Sequence, residues 1–393
     1  MRSYLLYIKI FFLIPLILLF FFVRIFKDFR INKIISHTIG EMTTPIEIYI
    51  CERKEGFKKF SVIWFMEKTI ANEFIKKKWS QKLFILPRHI LEPIYILFRS
   101  HKIFDIFLVD YSKEPKEVKR TLYENTVKRI DDKNVLLKHK PSIDFNFEEK
   151  KLGNDYLKKI GLQNKAFFTF ASRSSQFKNE KILTARNSNI YNKIPALKFM
   201  ISKGYNAIRM GKNETKKIIF NDPNIIDYAI SNDRSDFLDI YLISKCEFMI
   251  SSNSGINELP VLFRKPRLIV DYYDIPALEF HPLKLMIIPK KFKNLNTGNL
   301  INFEEAFKKR LNYIHINSKV NELGYDIIDN NELEIAKASE NFFTLLNDGL
   351  DLNELLYNQK NYWQNIEKYF GFKNKNKTII CPDFYSNNLD LFE

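Results

Sequence analysis

Cysteine is scarce in this chain. Only Cys51, Cys246 and Cys381 occur, at spacings too wide for a zinc site or a redox pair, so neither a disulfide framework nor a structural zinc is expected. Each reads as a small buried hydrophobe in a reducing compartment. No Asp-x-Asp motif stands at the end of a strand-like run, and Asp131-Asp132 falls in a polar stretch; no metal ligand is assigned. The formal charge of +16 would suit nucleic acid, an anionic membrane or an anionic substrate. There is no arginine-rich arm, zinc finger or RNP-like aromatic motif, and the basic residues are spread throughout, so nucleic acid is excluded as a partner. Internal repeats are absent. No small-residue cleavage site precedes Arg24, which argues against a removed signal peptide.

What is present begins with an apolar stretch over residues 4–23, interrupted by Lys9 and Pro15 and about 20 residues long, the length that crosses a hydrocarbon core. It predicts an N-terminal transmembrane helix, with an interfacial helix as the alternative. Arg24, Lys27, Arg30 and Lys33 follow it, against Arg2 and Lys9 before and within it. The positive-inside bias then predicts a single-pass inner-membrane anchor with the body in the cytoplasm.

The chain has 393 residues, 46% of them hydrophobic, enough for two cores of roughly 130 to 180 residues each. The pattern predicts an anchor and basic flank over 1–33, an α/β domain over 34–150, a second over 151–345 and a helical tail over 346–393 that packs back on the body. In the first domain, apolar runs at 46–51, 62–65, 83–87 and 106–109 alternate with charged, helix-compatible segments, as βα units do. Gly40 before the first run reads as a turn. Residues 140–165 read as the interdomain linker. In the tail, Tyr362, Trp363, Ile366 and Phe370 repeat at helical spacing, a face made for packing.

The second domain carries the informative pattern. A strand at 166–171 ends in Ser172-Arg173-Ser174, placing Arg173 at a strand terminus. A helix over 195–202, started by Asn and Ser residues and closed by Gly204, leads to a strand around Ala207 with Arg209 near its end. An arginine in a buried strand needs an acid or a phosphate, so Arg209 reads either as a ligand contact or as a structural ion pair. Ser235 caps a helix over 236–244 with Asp236 in its first turn and Arg234 just before it. The strand at 248–251 runs into Ser252-Asn253-Ser254-Gly255, small residues that let backbone amides approach an anion, and 267–271 adds another strand. In an open α/β sheet such carboxyl-terminal strand ends receive phosphorylated ligands.

Taken in order, Arg173, Arg186-Asn187-Ser188 with Tyr191, residues 203–211 (KGYNAIRMG), Arg234 to Asp239 (RSDFLD) and Ser254-Gly255 resemble a family of bacterial glycosyltransferases that carries these elements in this order. The match covers about 166–275, and the amino-terminal half is looser, with Gly40-Glu41-Met42 where some relatives have a G-H-L element. The resemblance implies a GT-B-like α/β fold, two Rossmann-like domains facing a cleft and preceded by the transmembrane helix. It implies a nucleotide-sugar donor held by Arg173, Arg186, Asn187, Arg209, Gly211, Arg234, Ser235, Asp236, Ser252, Ser254 and Gly255. The acceptor would be a surface polysaccharide or a lipid-linked glycan, and no cofactor is implied.

Glycosyl transfer needs stabilisation of the departing diphosphate, which the arginines and loop amides supply without metal. It also needs a base for the acceptor hydroxyl, for which Glu41, Glu258 and Glu279 are the candidates. His281 is a further phosphate-contact candidate. A pyruvyl or glycerophosphate transferase, or a non-catalytic membrane-tethered assembly protein, fits the same pattern.

Overall fold

The computed structural model describes residues 14–15, 17–100, 102–109, 131, 133–174, 184–214, 217–218, 220, 222–273, 283–370, 374 and 378–393. It divides into two compact units, Met1–Ile143 and Asp144–Glu393.

The first unit is built on a parallel sheet of three strands, β1 (Phe29–Ile34), β2 (Ser61–Met66) and β3 (Phe84–Ile85), in that spatial order. Strand β1 lies in the segment read as a basic flank. Its sequence, FRINKI, puts Phe29, Ile31 and Ile34 in the core while Arg30 and Lys33 stay half-exposed. The run at 46–51 is not a strand but part of the helix Thr44–Lys54, with Pro45 in its first turn. Two facts that the alternation of the run does not show decide this. Proline presets the helical φ where no amide hydrogen bond is needed, and Glu47 turns inward to accept the Ser142 amide at 3.0 and 3.2 Å. Residues 106–109 likewise end a 3₁₀ turn, Lys102–Phe107, and leave only a bridge from Leu108 to Ile31. The helices Glu73–Lys82, capped by Asn72 on the Ile75 amide, and Arg88–Ser100 complete the α/β pattern.

Residues 17–26 are helical. Ile17 and Phe20 enter the core of this unit beside Phe29, Leu91, Phe98 and Phe107, whereas Leu18, Leu19, Phe22, Ile25 and Phe26 are exposed. Residues 1–13 and 16 of the expected anchor lie outside the described residues, and among those described no helix is long and apolar enough to cross a membrane.

The second unit opens with the helix Phe147–Lys159, inside the segment read as a linker, with a full capping box between Asn146 and Glu149. Gly153 lets this helix pass over Tyr241, since a Cβ there would stand 2.2 Å from the ring. The strands β4 (Phe167–Phe170), β5 (Asn206–Arg209), β6 (Ile225–Ile226), β7 (Met249–Ser252), β8 (Arg267–Tyr272) and β9 (Leu285–Pro289) form a parallel sheet completed by Ile379–Ile380. The chain then makes a three-stranded antiparallel sheet from β10 (Lys291–Asn294), β11 (Leu300–Ile301) and β12 (Tyr325–Ile328), around a small core that includes Tyr273 and Phe292. With Ile379–Ile380 as β13, the parallel sheet has the order β13-β9-β8-β7-β4-β5-β6.

Local sequence accounts for several joints. Ser235 caps Asp236–Lys245 on the Leu238 amide, and Gly204, at φ +93°, ends Ile194–Ser202 in the left-handed region that glycine tolerates. In the tail, Tyr362, Trp363, Ile366 and Phe370 form the buried face of the helix Lys360–Phe370, with Tyr362 against Phe303 and Phe307. Gln359 closes the sheet edge: its amide donates to the Ile380 carbonyl at 2.8 Å and accepts from the Ile380 amide at 2.9 Å. All three cysteines are free and buried, and burial pushes the thiols of Cys246 and Cys381 up to about 11 and about 12.

Candidate functional site at a strand switch point

The order of the large sheet defines where a ligand belongs. From β4 the chain winds outward through β5 to β6; from β7 it winds the other way through β8 and β9 to β13. That is the order of a Rossmann-like doubly wound sheet, and β4 and β7 flank its switch point, where the loops diverge and open a crevice at the carboxyl ends. Those loops are Ala171 to Ser174 and Asn253 to Gly255. They are tied together: the Arg173 amide donates to Ser252 Oγ at 2.8 Å, and Arg186 Nε donates to the Asn253 carbonyl at 3.2 Å. The Ser188 amide, in turn, donates to the Arg173 carbonyl at 3.1 Å.

These bonds bring Arg173, Arg186 and Ser252 together at this end of the sheet; Asn187 follows Arg186 in the chain, and Ser254 and Gly255 follow β7. The Ser254 hydroxyl is not spent on capping the 3₁₀ turn Gly255–Asn257 that follows it, and Gly255 takes the helical backbone of that turn. Asn257 fixes the loop by donating to the Ser252 carbonyl at 2.9 Å and accepting from Ser251 Oγ.

Arg209 ends β5 and Gly211 follows it in the loop, while Arg234 and Ser235 lead into the helix that Asp236 begins. Arg209 is buried and its guanidinium meets Asp227 at 3.0 Å and Glu214 at 2.9 Å, the ion-pair arrangement. Arg234 donates to the Gly211 carbonyl at 2.9 Å and to Asp239 at 2.6 Å. Ser235 spends its oxygen on the cap, and Asp236 pairs with Lys212 at 3.4 Å. Burial pushes Asp239 up to about 6 against the pull of Arg234.

Sequence reasoning missed a buried polar chain beside the crevice. Lys193, fully buried, donates to Ser172 Oγ at 2.7 Å and to Ser188 Oγ at 2.8 Å. Ser188 donates to the buried Asp271 carboxylate, whose other oxygen accepts from the Asn330 amide at 2.7 Å. Lys290, also buried, donates to Asp329 at 2.6 Å and to the Asn187 carbonyl. Asp271 holds φ +52° at an irregularity in β8 between Ile269 and Tyr272, a bulge that re-aims a side chain. Desolvation pulls Lys193 down to about 8, although Asp271 and Asp329 oppose it. The one signal in the sequence was a lysine directly before the apolar start of a helix, two residues ahead of Pro195.

Among the candidate bases, Glu41 is half-buried in the turn before Thr44–Lys54. Glu258 is buried with its carboxylate 3.9 Å from Arg267. Glu279 and His281 lie outside the described residues. The first unit offers a pair that the sequence did not suggest. Just past β1, His37 Nδ1 lies 2.5 Å from Glu67 Oε2, and Lys33 Nζ lies 3.0 Å from Glu67 Oε1. Burial raises the Glu67 carboxyl, but hydrogen bonds from His37 and Lys33 outweigh it and hold the group below its ordinary value. The imidazole is partly exposed, at the carboxyl ends of β1 and β2. Reading β1 as a membrane flank hid this histidine.

No protein-family model matches the chain, and no curated protein matches it. Among solved structures, it is similar to a family 9 glycosyl transferase from Veillonella parvula, at 12% identity and TM-score 0.35, over 62% of this chain and 80% of that one. A similar likeness is to the E. coli ADP-heptose LPS heptosyltransferase II, at 12% identity and TM-score 0.36, over 61% and 84%. The wall teichoic acid polymerase TagF matches over 82% of this chain and 88% of its own, at 12% identity and TM-score 0.27. At such scores it is the sheets of this chain, rather than the likeness, that define the class: an α/β protein with parallel sheets, the larger of them wound in the Rossmann order.

Proposed function

We propose that this chain is a GT-B-like glycosyltransferase that takes a sugar from a nucleotide-sugar donor bound at the β4–β7 switch point. The observation that carries the reading is the convergence there of Arg173, Arg186 and the Ser252 to Gly255 segment, the Arg173 amide bonded to Ser252 and the Arg186 side chain to the Asn253 carbonyl. A diphosphate set in that crevice meets guanidinium groups and loop amides, the groups that stabilise negative charge developing on a leaving group. This part of the reaction uses the chain's own donors. A base must also take the proton of the acceptor hydroxyl.

The acceptor in this reading is a surface polysaccharide or a lipid-linked glycan, reached through membrane attachment at residues 4–23 with residues 24–393 in the cytoplasm. The exposed Leu18, Leu19, Phe22, Ile25 and Phe26 support attachment, and the exposed Ile103 and Ile106 of the same unit add apolar surface.

The test is titration of the purified protein with UDP, ADP, GDP and CDP by calorimetry and thermal shift, in the wild type and in Gly255→Val and Arg173→Ala. A ligand that binds only the native state raises its melting temperature. At least one diphosphate is expected to do so, and both variants to weaken it, by about 1.5 to 3 kcal/mol for the arginine if it bonds a phosphate. Without ligand, the variants are expected to melt close to the wild type. No stabilisation by any of the four, or equal affinities across the three proteins, removes the donor from this crevice.

A further inference from the structure

The proton inventory of the buried chain beside the crevice has a single solution while Lys193 is charged. An ammonium has donors and no acceptor, and an ionised carboxylate only accepts. Lys193 therefore donates to Ser172 Oγ and to Ser188 Oγ, and Ser188 passes its own proton to Asp271. The one proton of Ser188 is committed by this arrangement. Ser172 is not: its oxygen accepts from Lys193, so its hydroxyl proton points elsewhere, and among the described residues it has no acceptor. Ser172 is half-buried, directly after β4 and directly before Arg173. Its position is the switch-point edge, where the neighbouring Ala171 amide still donates to the Ile250 carbonyl of β7 at 3.1 Å.

We infer that Ser172 is a further ligand-binding residue, a hydroxyl held as an obligate donor by the buried Lys193 and aimed at an anionic oxygen of the donor diphosphate. The inference rests on the donor-site reading above and deepens it, since neither residue was among the candidates from sequence. The arrangement explains why a lysine is kept in a fully buried position with its closest acid, Asp271, reached through a serine. A directly paired lysine would spend its charge on the carboxylate; this one orients two hydroxyls.

The charged groups around Lys193 come from three elements: Asp271 of β8, Lys290 after β9 and Asp329 after β12. Burial outweighs the two acids and brings the amine to about 8. Above that pH a neutral amine can accept the Ser172 proton, and the hydroxyl no longer has to face the ligand. Donor affinity contributed by Ser172 is thus present at pH 7 and declines toward pH 9, a window above the ordinary second ionisation of a phosphate near 6.

The experiment uses the full chain, with inorganic pyrophosphate and the four nucleoside diphosphates as probes, on wild type, Ser172→Ala and Ser172→Thr at pH 7 and pH 9. At pH 7 Ser172→Ala is expected to bind about tenfold more weakly, the effect of one hydrogen bond to an anion, while Ser172→Thr, which keeps the hydroxyl, stays close to wild type. At pH 9 the gap between wild type and Ser172→Ala is expected to close. Binding of a probe by the wild type with equal affinity in Ser172→Ala overturns the inference and leaves the donor site standing. A gap that persists unchanged at pH 9 overturns the role of Lys193. If the wild type binds none of the probes, both the inference and the donor-site reading fall.

Discussion

Replacing Arg209 with methionine separates two roles that its sequence context left open. The guanidinium lies 3.2 and 3.0 Å from the two oxygens of Asp227 and 2.9 Å from Glu214, with the arginine side chain 4% exposed. The two acids have further duties: Asp227 accepts the Ile218 amide at 3.2 Å, and Glu214 accepts the Ser174 hydroxyl at 2.8 Å. Methionine fills much the same volume but leaves two largely buried carboxylates without their cation. Breaking a buried pair in this way costs about 3 to 5 kcal/mol. For a unit of this size each kcal/mol moves the melting midpoint by about 2 to 4 °C, so the transition of the second unit is expected to fall by roughly 6 to 20 °C. Neutralising both acids as well, with Glu214→Gln and Asp227→Asn, is expected to recover a large part of the loss. Differential scanning calorimetry with and without a bound nucleoside diphosphate reads both quantities. A variant that melts with the wild type but no longer binds diphosphate refutes the ion-pair reasoning and returns Arg209 to the ligand.

Asp239 supplies a pH signature. Its folded-state value of about 6 stands above the ordinary 3.8, so its contribution to stability is complete below about pH 4 and is lost as pH rises toward 6 and beyond. Asp239→Asn is expected to remove that component, and urea midpoints of both proteins between pH 4 and pH 7 check it; a wild-type-to-variant difference that stays constant across the window contradicts the shift. In the first unit, His37→Gln is expected to let the Glu67 carboxyl rise toward its ordinary value, because the His37 hydrogen bond is one of the two that hold it down. A Glu67 titration by NMR that is the same in wild type and variant contradicts that role of the pair.

The second unit was largely legible because its signals are local. Ser235 and Gly204 mark helix ends through their own backbone chemistry, and β4, β5, β7 and β8 are short apolar runs with polar residues at their carboxyl ends. The switch-point loops followed from the same runs. The first unit was harder to read. In FRINKI the basic residues of β1 merge with those after the apolar segment, and the alternating isoleucines of 46–51 imitate a strand until Pro45 and the Ser142 contact of Glu47 are known. The buried polar chain was invisible for a different reason: Lys193, Asp271, Lys290 and Asp329 are separated by tens of residues, and lysines and aspartates that far apart look like ordinary surface. Only the closing of β8, β9 and β12 around the segment after β4 brings them into one network.

The Gln359 amide that seals Ile380 gives the large sheet a temporal order. Strand β9 ends at Pro289, and its outer neighbour arrives only at Ile379, after the whole antiparallel insertion and the tail helices. At a synthesis rate of about 5 to 20 residues per second, the β9 edge waits roughly 5 to 20 s for its partner, long enough for the preceding strands to fold around it. An unpaired parallel edge is a template for foreign strands, so it is during this interval, before Ile379–Ile380 covers β9, that this edge is open to mispairing.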